Sequence, residues 1–234
     1  LVDNRNIRVT FLSSSKEDNF QIKNKENIKK IYIGDKSART YLFRKLSINA
    51  MIMSTPSLQS MQLKREKDSK YFYIHHSPMS THMIYQENAF DNFDGIFCVG
   101  PYHVKETRER ERKYSLKEKK LFESGYSNFD ELIDNKKGGS NDEILIASSW
   151  GKNSIVNTCL NELISKLINL DFKVTLRPHS MSFKNDKKIL NNVIKNYTDK
   201  DNFKLDLNPD STESISNSKF LITDWSGIAF EYYI

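Results

Sequence analysis

Four short polar segments of this 234-residue chain combine side chains that could move a proton or hold an anion. His75–His76–Ser77–Pro78 sets an imidazole, whose charge changes near neutral pH, beside a Pro-containing turn. Such a group can take a proton from an acceptor hydroxyl. Arg177–Pro178–His179–Ser180 offers a guanidinium fork that matches phosphate oxygens, a second imidazole, and a proline that stops a strand and fixes a turn. Asp224–Trp225–Ser226–Gly227 precedes an apolar helical run, so free N–H groups, the Ser226 hydroxyl and the close approach allowed by Gly227 could make an anion site. Ser148–Ser149–Trp150–Gly151–Lys152 is a weaker fourth case, with Gly151 and Lys152 as its phosphate-facing residues. Each has a competing structural use. Loop histidines bond backbone, surface Arg and His stand without ligands, and Asp224 or Ser226 could simply cap the helix.

The elements that must position these residues follow from periodicity. Strand-like runs are Ile7–Leu12, Ile31–Ile33, Ala50–Met53, Tyr71–Ile74, Gly95–Val99, Ile144–Ser148, Lys173–Leu176 and Phe220–Thr223. Asn157–Leu170 and Asn185–Tyr197 repeat apolar residues at helical spacing. Strands alternating with amphipathic helices predict an α/β fold: two Rossmann-like βαβ domains with parallel sheets. Ligands of such sheets bind beyond the carboxyl ends of the strands, which is where all four segments fall. Asp134–Asp142 has no apolar residue and contains a Gly-Gly pair. The predicted organisation is therefore a first domain over 1–134, a linker or surface loop over 135–142, and a second domain over 143–234. The apolar segment that runs to Ile234, and the initial Leu1, suggest a piece of a longer chain with an incomplete second domain.

Composition narrows the class. Hydrophobic content of 38% and charged content of 28% fit a soluble globular protein, and no apolar run is long enough to span a bilayer. The net charge of +6 favours anionic partners. Tyr102–Glu123 carries eight Lys/Arg against five Glu and reads as one long helix. Its charges suit intrahelical ion pairs on a solvated face or, alternatively, contact with an anionic membrane surface. Cys98 and Cys159 stand in apolar contexts as small buried hydrophobes, without zinc spacing. Asp199–Lys200–Asp201 has the Asp-x-Asp form of metal-dependent glycosyltransferases but lies in a charged loop. A glycine-rich dinucleotide fingerprint, a Walker-type loop and a nucleophile elbow are all missing. No metal site and no cofactor is implied, and no nucleic-acid partner is expected.

At His76–Ser77–Pro78, Arg177–Pro178–His179 and Asp224–Trp225–Ser226–Gly227…Phe230–Glu231 the sequence resembles the CDP-glycerol glycerophosphotransferases, which include wall teichoic acid primases and polymerases and capsule-associated relatives. Ser54–Thr55–Pro56, Phe93–Gly100, Gly125–Tyr126 and Ile146–Gly151 add to the likeness, which covers most of Met51–Glu231. Ser77 departs from a glycine in the family pattern, and Gly227 from a second serine. The resemblance implies a GT-B arrangement of two domains, the first acceptor-side and the second nucleotide-donor-binding. It implies attack of an acceptor hydroxyl on the β-phosphorus of CDP-glycerol with CMP leaving. His76 would be the base, while Arg177, His179, Asp224, Ser226 and Gly227, with Gly151, Lys152 and Ser77, would contact substrate. The partners implied are CDP-glycerol or a similar donor and a polymer or lipid-linked acceptor. The location implied is cytoplasmic, peripheral on the inner face of the cell membrane. Two alternatives use the same residues: a GT-B glycosyltransferase with a nucleotide sugar, and a non-catalytic polyanion-binding module.

Overall fold

The computed structural model describes residues 7–13, 27–34, 36–59, 64–135 and 140–234. Backbone contacts divide the chain into two compact units: residues up to His76 with Ser80–Ser124, and Ser77–Met79 with Gly125–Ile234. The chain passes between units at His76/Ser77, Met79/Ser80 and Ser124/Gly125. Of the stretch read as a linker, 136–139 lies outside the described residues, and a strand already begins at Ser140.

The first unit holds two parallel sheets. β1 (Val9–Ser13) pairs with β2 (Ile28–Tyr32), and α1 (Lys36–Lys45) follows. β3 (Ala50–Met53), β4 (Lys70–Ile74), β5 (Gly95–Cys98) and β6 (Lys120–Glu123) lie side by side in that order, with α2 (Thr81–Ile84) and α3 (Pro101–Tyr114) between strands. The pleat of β4 sends Tyr71 and Tyr73 inward among Leu58, Ala89, Phe90, Phe93, Ile96 and Cys98. The opposite face carries Phe72, Phe97 and Phe122 in ring contact, with centroids 5.0 to 6.3 Å apart.

Tyr102–Glu123 is not one helix. α3 stops at Tyr114, Ser115 takes the left-handed conformation at φ 52°, and the Leu116 N–H turns back to the Glu111 carbonyl. The buried Glu111 carboxylate accepts the Lys119 N–H at 2.7 Å and pairs with Arg108, which pulls the chain into edge strand β6. Arg110 forms a bidentate pair with Asp91 at 2.8 and 2.9 Å. Part of the charge in this stretch thus goes into ion pairs, within α3 for Arg108 and beyond it for Arg110.

The second unit opens with α4 (Ser127–Asp134) and then builds one parallel sheet from β7 (Ser140–Ile146), β8 (Lys173–Leu176), β9 (Phe203–Leu205) and β10 (Ser218–Ile222). The sheet order is β10-β7-β8-β9. α5 (Ile155–Thr158), α6 (Leu160–Asn169), α7 (Ser180–Asn185), α8 (Lys187–Tyr197), α9 (Thr212–Asn217) and α10 (Ile228–Tyr233) complete it. Alternation along β7 sorts the core into two layers. Ile144 and Ile146 pack with Leu160, Ile164, Leu190 and Val193, while Leu145 and Ala147 pack with Leu132 and Ile215. Helices therefore cover both faces, as a parallel sheet of Val, Ile and Leu requires. The helical pattern of 157–170 is broken at Cys159 (φ −141°), which separates α5 from α6 and leaves that thiol exposed. Only Cys98 is the buried hydrophobe expected of both.

Candidate functional site

At the end of β4 the inward–outward alternation continues past the strand: His75 is 5% exposed, whereas His76 is exposed. His75 packs edge-on to Tyr73 and stacks on His103 of α3, with centroids 3.8 Å apart and planes at 25°. Neither His75 ring nitrogen has a hydrogen-bond partner among the described residues. Burial, followed by the charges that His103 and His76 would carry, pushes His75 down to about 3, so the ring is neutral at physiological pH. His103 is locked by accepting the Val99 N–H at Nδ1.

His76 is fixed differently. Its Nδ1 lies 3.1 Å from the Ser54 carbonyl and 3.3 Å from the Tyr73 hydroxyl. A carbonyl can only accept, so neutral His76 carries its proton on Nδ1 and its lone pair on Nε2. The Tyr73 hydroxyl donates onward to Tyr85 at 3.1 Å. Burial first, then Tyr85, raises the Tyr73 phenol, which therefore stays protonated. The strand pattern pointed to His75 and His76; nothing in it marked the Ser54 carbonyl, Tyr73, Tyr85 or His103 as their partners.

In the second unit, the other three polar segments stand at the carboxyl ends of β7, β8 and β10, three neighbouring strands of one sheet. Asp224 does not cap α10, the helix that follows it. Its Oδ1 accepts the Ser149 N–H at 2.6 Å and its Oδ2 the Ile155 N–H at 2.9 Å, bracing the whole loop after β7. Thr223 adds a bond to the Ala147 carbonyl at 2.6 Å. Gly151 takes φ +104° at the head of that loop, beside the exposed Lys152. Ser226 does not cap α10, which has only six residues. A Cβ on Gly227 would meet the Ser77 hydroxyl, which would have to turn aside, so the two loops pack closely at the glycine. That hydroxyl has no hydrogen-bond partner among the described residues.

Arg177 is largely occupied. One guanidinium nitrogen reaches Asp206 at 2.6 Å and the other the Pro209 carbonyl at 3.0 Å. Burial alone would raise the Asp206 carboxyl, but bonds from Ser214, the Asn208 N–H and Arg177 outweigh it and hold it below the usual carboxylate range. His179 N-caps α7 by accepting the Met181 N–H at Nδ1, 3.1 Å away, which leaves the ring proton of the neutral form on Nε2. Its ring lies 6.3 Å from Trp150, centroid to centroid. Glu231 accepts from Tyr126 at 2.9 Å and from Ser211 at 3.3 Å, tying α10 to two loops. No three or more His, Cys, Asp or Glu among the described residues form a group that could hold a metal ion. No described helix is long and apolar enough to cross a membrane.

No protein-family model and no curated protein sequence matches the chain. Solved structures do resemble it. Two are of the wall teichoic acid polymerase TagF in a histidine-to-asparagine variant, one of them soaked with CDPG. They align with TM-scores of 0.57 and 0.56 at 16% identity, over 97% of this chain. The chain spans 59% and 60% of those two polymerase chains. A UDP-GlcNAc 2-epimerase of Methanocaldococcus jannaschii, in complex with UDP-GlcNAc and UDP, aligns at TM-score 0.56 and 14% identity, over 90% of this chain and 66% of its own. At these identities the likeness is one of fold alone: α/β with parallel, Rossmann-like sheets, GT-B-like.

Proposed function

We propose that this chain belongs to a transferase that passes glycerol phosphate, or a related polyol phosphate, from a CDP-activated donor to a hydroxyl of a lipid-linked or polymeric cell-envelope acceptor. The observation that carries the reading is the gathering of three polar turns on β7, β8 and β10, with Asp224 bracing one to another. The similarity in fold to a polymerase soaked with CDPG supports the choice of donor.

The donor pyrophosphate lies against the Nε2–H of His179, the Lys152 ammonium, the Ser226 hydroxyl and the Gly227 N–H. Arg177, held by Asp206, adds positive field beside them. The acceptor oxygen bonds to the β-phosphorus while the bond from that phosphorus to the bridging oxygen breaks. Its electron pair leaves with CMP, and the acceptor proton goes to Nε2 of His76. Preorganised donors around the transferring phosphoryl group are what such reactions require. The work is done at the inner face of the membrane, where a lipid-linked acceptor is found.

The test is mass spectrometry of full-length enzyme given CDP-glycerol and a lipid-linked acceptor. The expected result is a product one glycerol phosphate heavier, with CMP in equal amount. The epimerase likeness favours a second reading, a nucleotide-sugar transferase. Consumption of a UDP-sugar with CDP-alcohols untouched would establish it instead.

A further inference from the structure

Both tryptophans of the chain, Trp150 and Trp225, stand just beyond strand ends of the same sheet. Neither is part of a core: Trp150 is 49% exposed and Trp225 61%. An indole is the largest apolar side chain, and leaving one in water forgoes much of the burial that stabilises a fold. Here two are left out on adjoining loops. Those loops are not loose, because Ser149, next to Trp150, donates its N–H to Asp224, next to Trp225. Trp150 is also flanked by Gly151, whose φ of +104° turns the chain sharply and whose missing side chain would meet nothing within 4 Å. On its other side lies His179, with ring planes 34° apart.

We infer that Trp150 and Trp225 form the stacking platform for the heterocyclic base of a nucleoside diphosphate. This rests on the donor-binding reading above and adds the half of the nucleotide that the anion-binding groups leave unexplained. Stacking on aromatic faces suits a base because every base has a π-face, and an edge or face of indole offers a large contact at little conformational cost. The braced loops supply the rigidity, and the nearby His179 marks where the diphosphate begins.

The experiment titrates full-length protein with CDP and, separately, with inorganic pyrophosphate, following heat by calorimetry and emission by tryptophan fluorescence. In the unmodified protein CDP quenches emission, and pyrophosphate binds without changing it. Trp150→Leu and Trp225→Leu each weaken CDP roughly 5- to 150-fold, the range for loss of one base–aromatic stack, and leave pyrophosphate unchanged. Trp150→Phe, which keeps a ring, recovers most of the loss. If CDP binds the doubly substituted protein as tightly as the original, the platform is overturned while the diphosphate site stands. Should neither ligand bind the original protein, both readings fall together. Circular dichroism of the variants separates lost stacking from lost fold: weakened pyrophosphate with an altered spectrum counts against the platform, since these indoles would then be structural.

Discussion

At the end of β4, two imidazoles and two phenols pack ring against ring: His75 on His103, with Tyr73 between His75 and Tyr85. At the ends of β7, β8 and β10 the polar groups instead bond to one another and to backbone in partly open loops: Asp224 to two N–H groups, Arg177 to Asp206, His179 to its own helix. Burial without partners in the first region holds its inner imidazole neutral. Dense hydrogen bonding in the second holds its carboxylate charged and its donors aimed. The difference teaches that one kind of unit can serve two needs. An apolar ring stack holds one imidazole inside and leaves its neighbour outside, and a bonded loop cluster fixes side-chain charges and backbone dipoles at neighbouring strand ends.

The largest effect expected from breaking this contrast is His76→Ala, which should cut turnover by about 10²–10⁴, the usual contribution of a positioned base. CDP-glycerol affinity, read by calorimetry, should stay nearly constant, and His75→Ala should lower thermal stability more than rate. If His75→Ala abolishes transfer and His76→Ala does not, the inward and outward imidazoles have exchanged roles.

Next in size is Arg177→Ala. It leaves Asp206 with Ser214 and the Asn208 N–H but without its cation, and should destabilise the second unit by roughly 1.5–3 kcal/mol, the scale of a hydrogen bond to a charged group. Both tryptophans lie in that unit, so urea unfolding followed by their emission reports it directly. Unchanged stability with CDP affinity reduced by a similar energy would mean that the guanidinium faces donor and not Asp206.

Much of this was legible in the residues. Ile144–Ala147 and Lys173–Leu176 announce buried parallel strands because, after Lys173 at the edge of the second, no polar residue but Thr175 interrupts their pattern, and the turns after them were visible as changes from apolar to polar. Edge strand β6 was hidden because Lys119 and Lys120 look like the charged helix before them. What decides their fate is a tertiary bond, Lys119 N–H to Glu111, that no local pattern encodes. Asp224 looked like a cap for the same reason. An Asp before a helix usually bonds its own chain nearby, whereas this one reaches Ser149 and Ile155, far away in sequence. The Ser54 carbonyl beside His76 is backbone, which carries no residue signature at all.

The smallest effect concerns acid. Unfolded, His75 titrates near 6.5, and folded it titrates near 3. Below pH 6.5 the unfolded chain therefore binds a proton that the folded chain refuses, so stability falls as pH falls, and it does so until about pH 3. At pH 5.5 the loss relative to pH 8 is about 1.4 kcal/mol for this one group. The groups facing it are His103, His76, Tyr73 and Tyr85. His75→Leu keeps an apolar filler against Tyr73 and Phe90 and removes the titration. Urea unfolding of the first unit, followed by the near-ultraviolet circular dichroism of its tyrosines, should show a shallower loss between pH 8 and 5.5 in that variant. An equally steep loss would move the acid sensitivity to another group and remove the neutral inner imidazole from the comparison of the two regions.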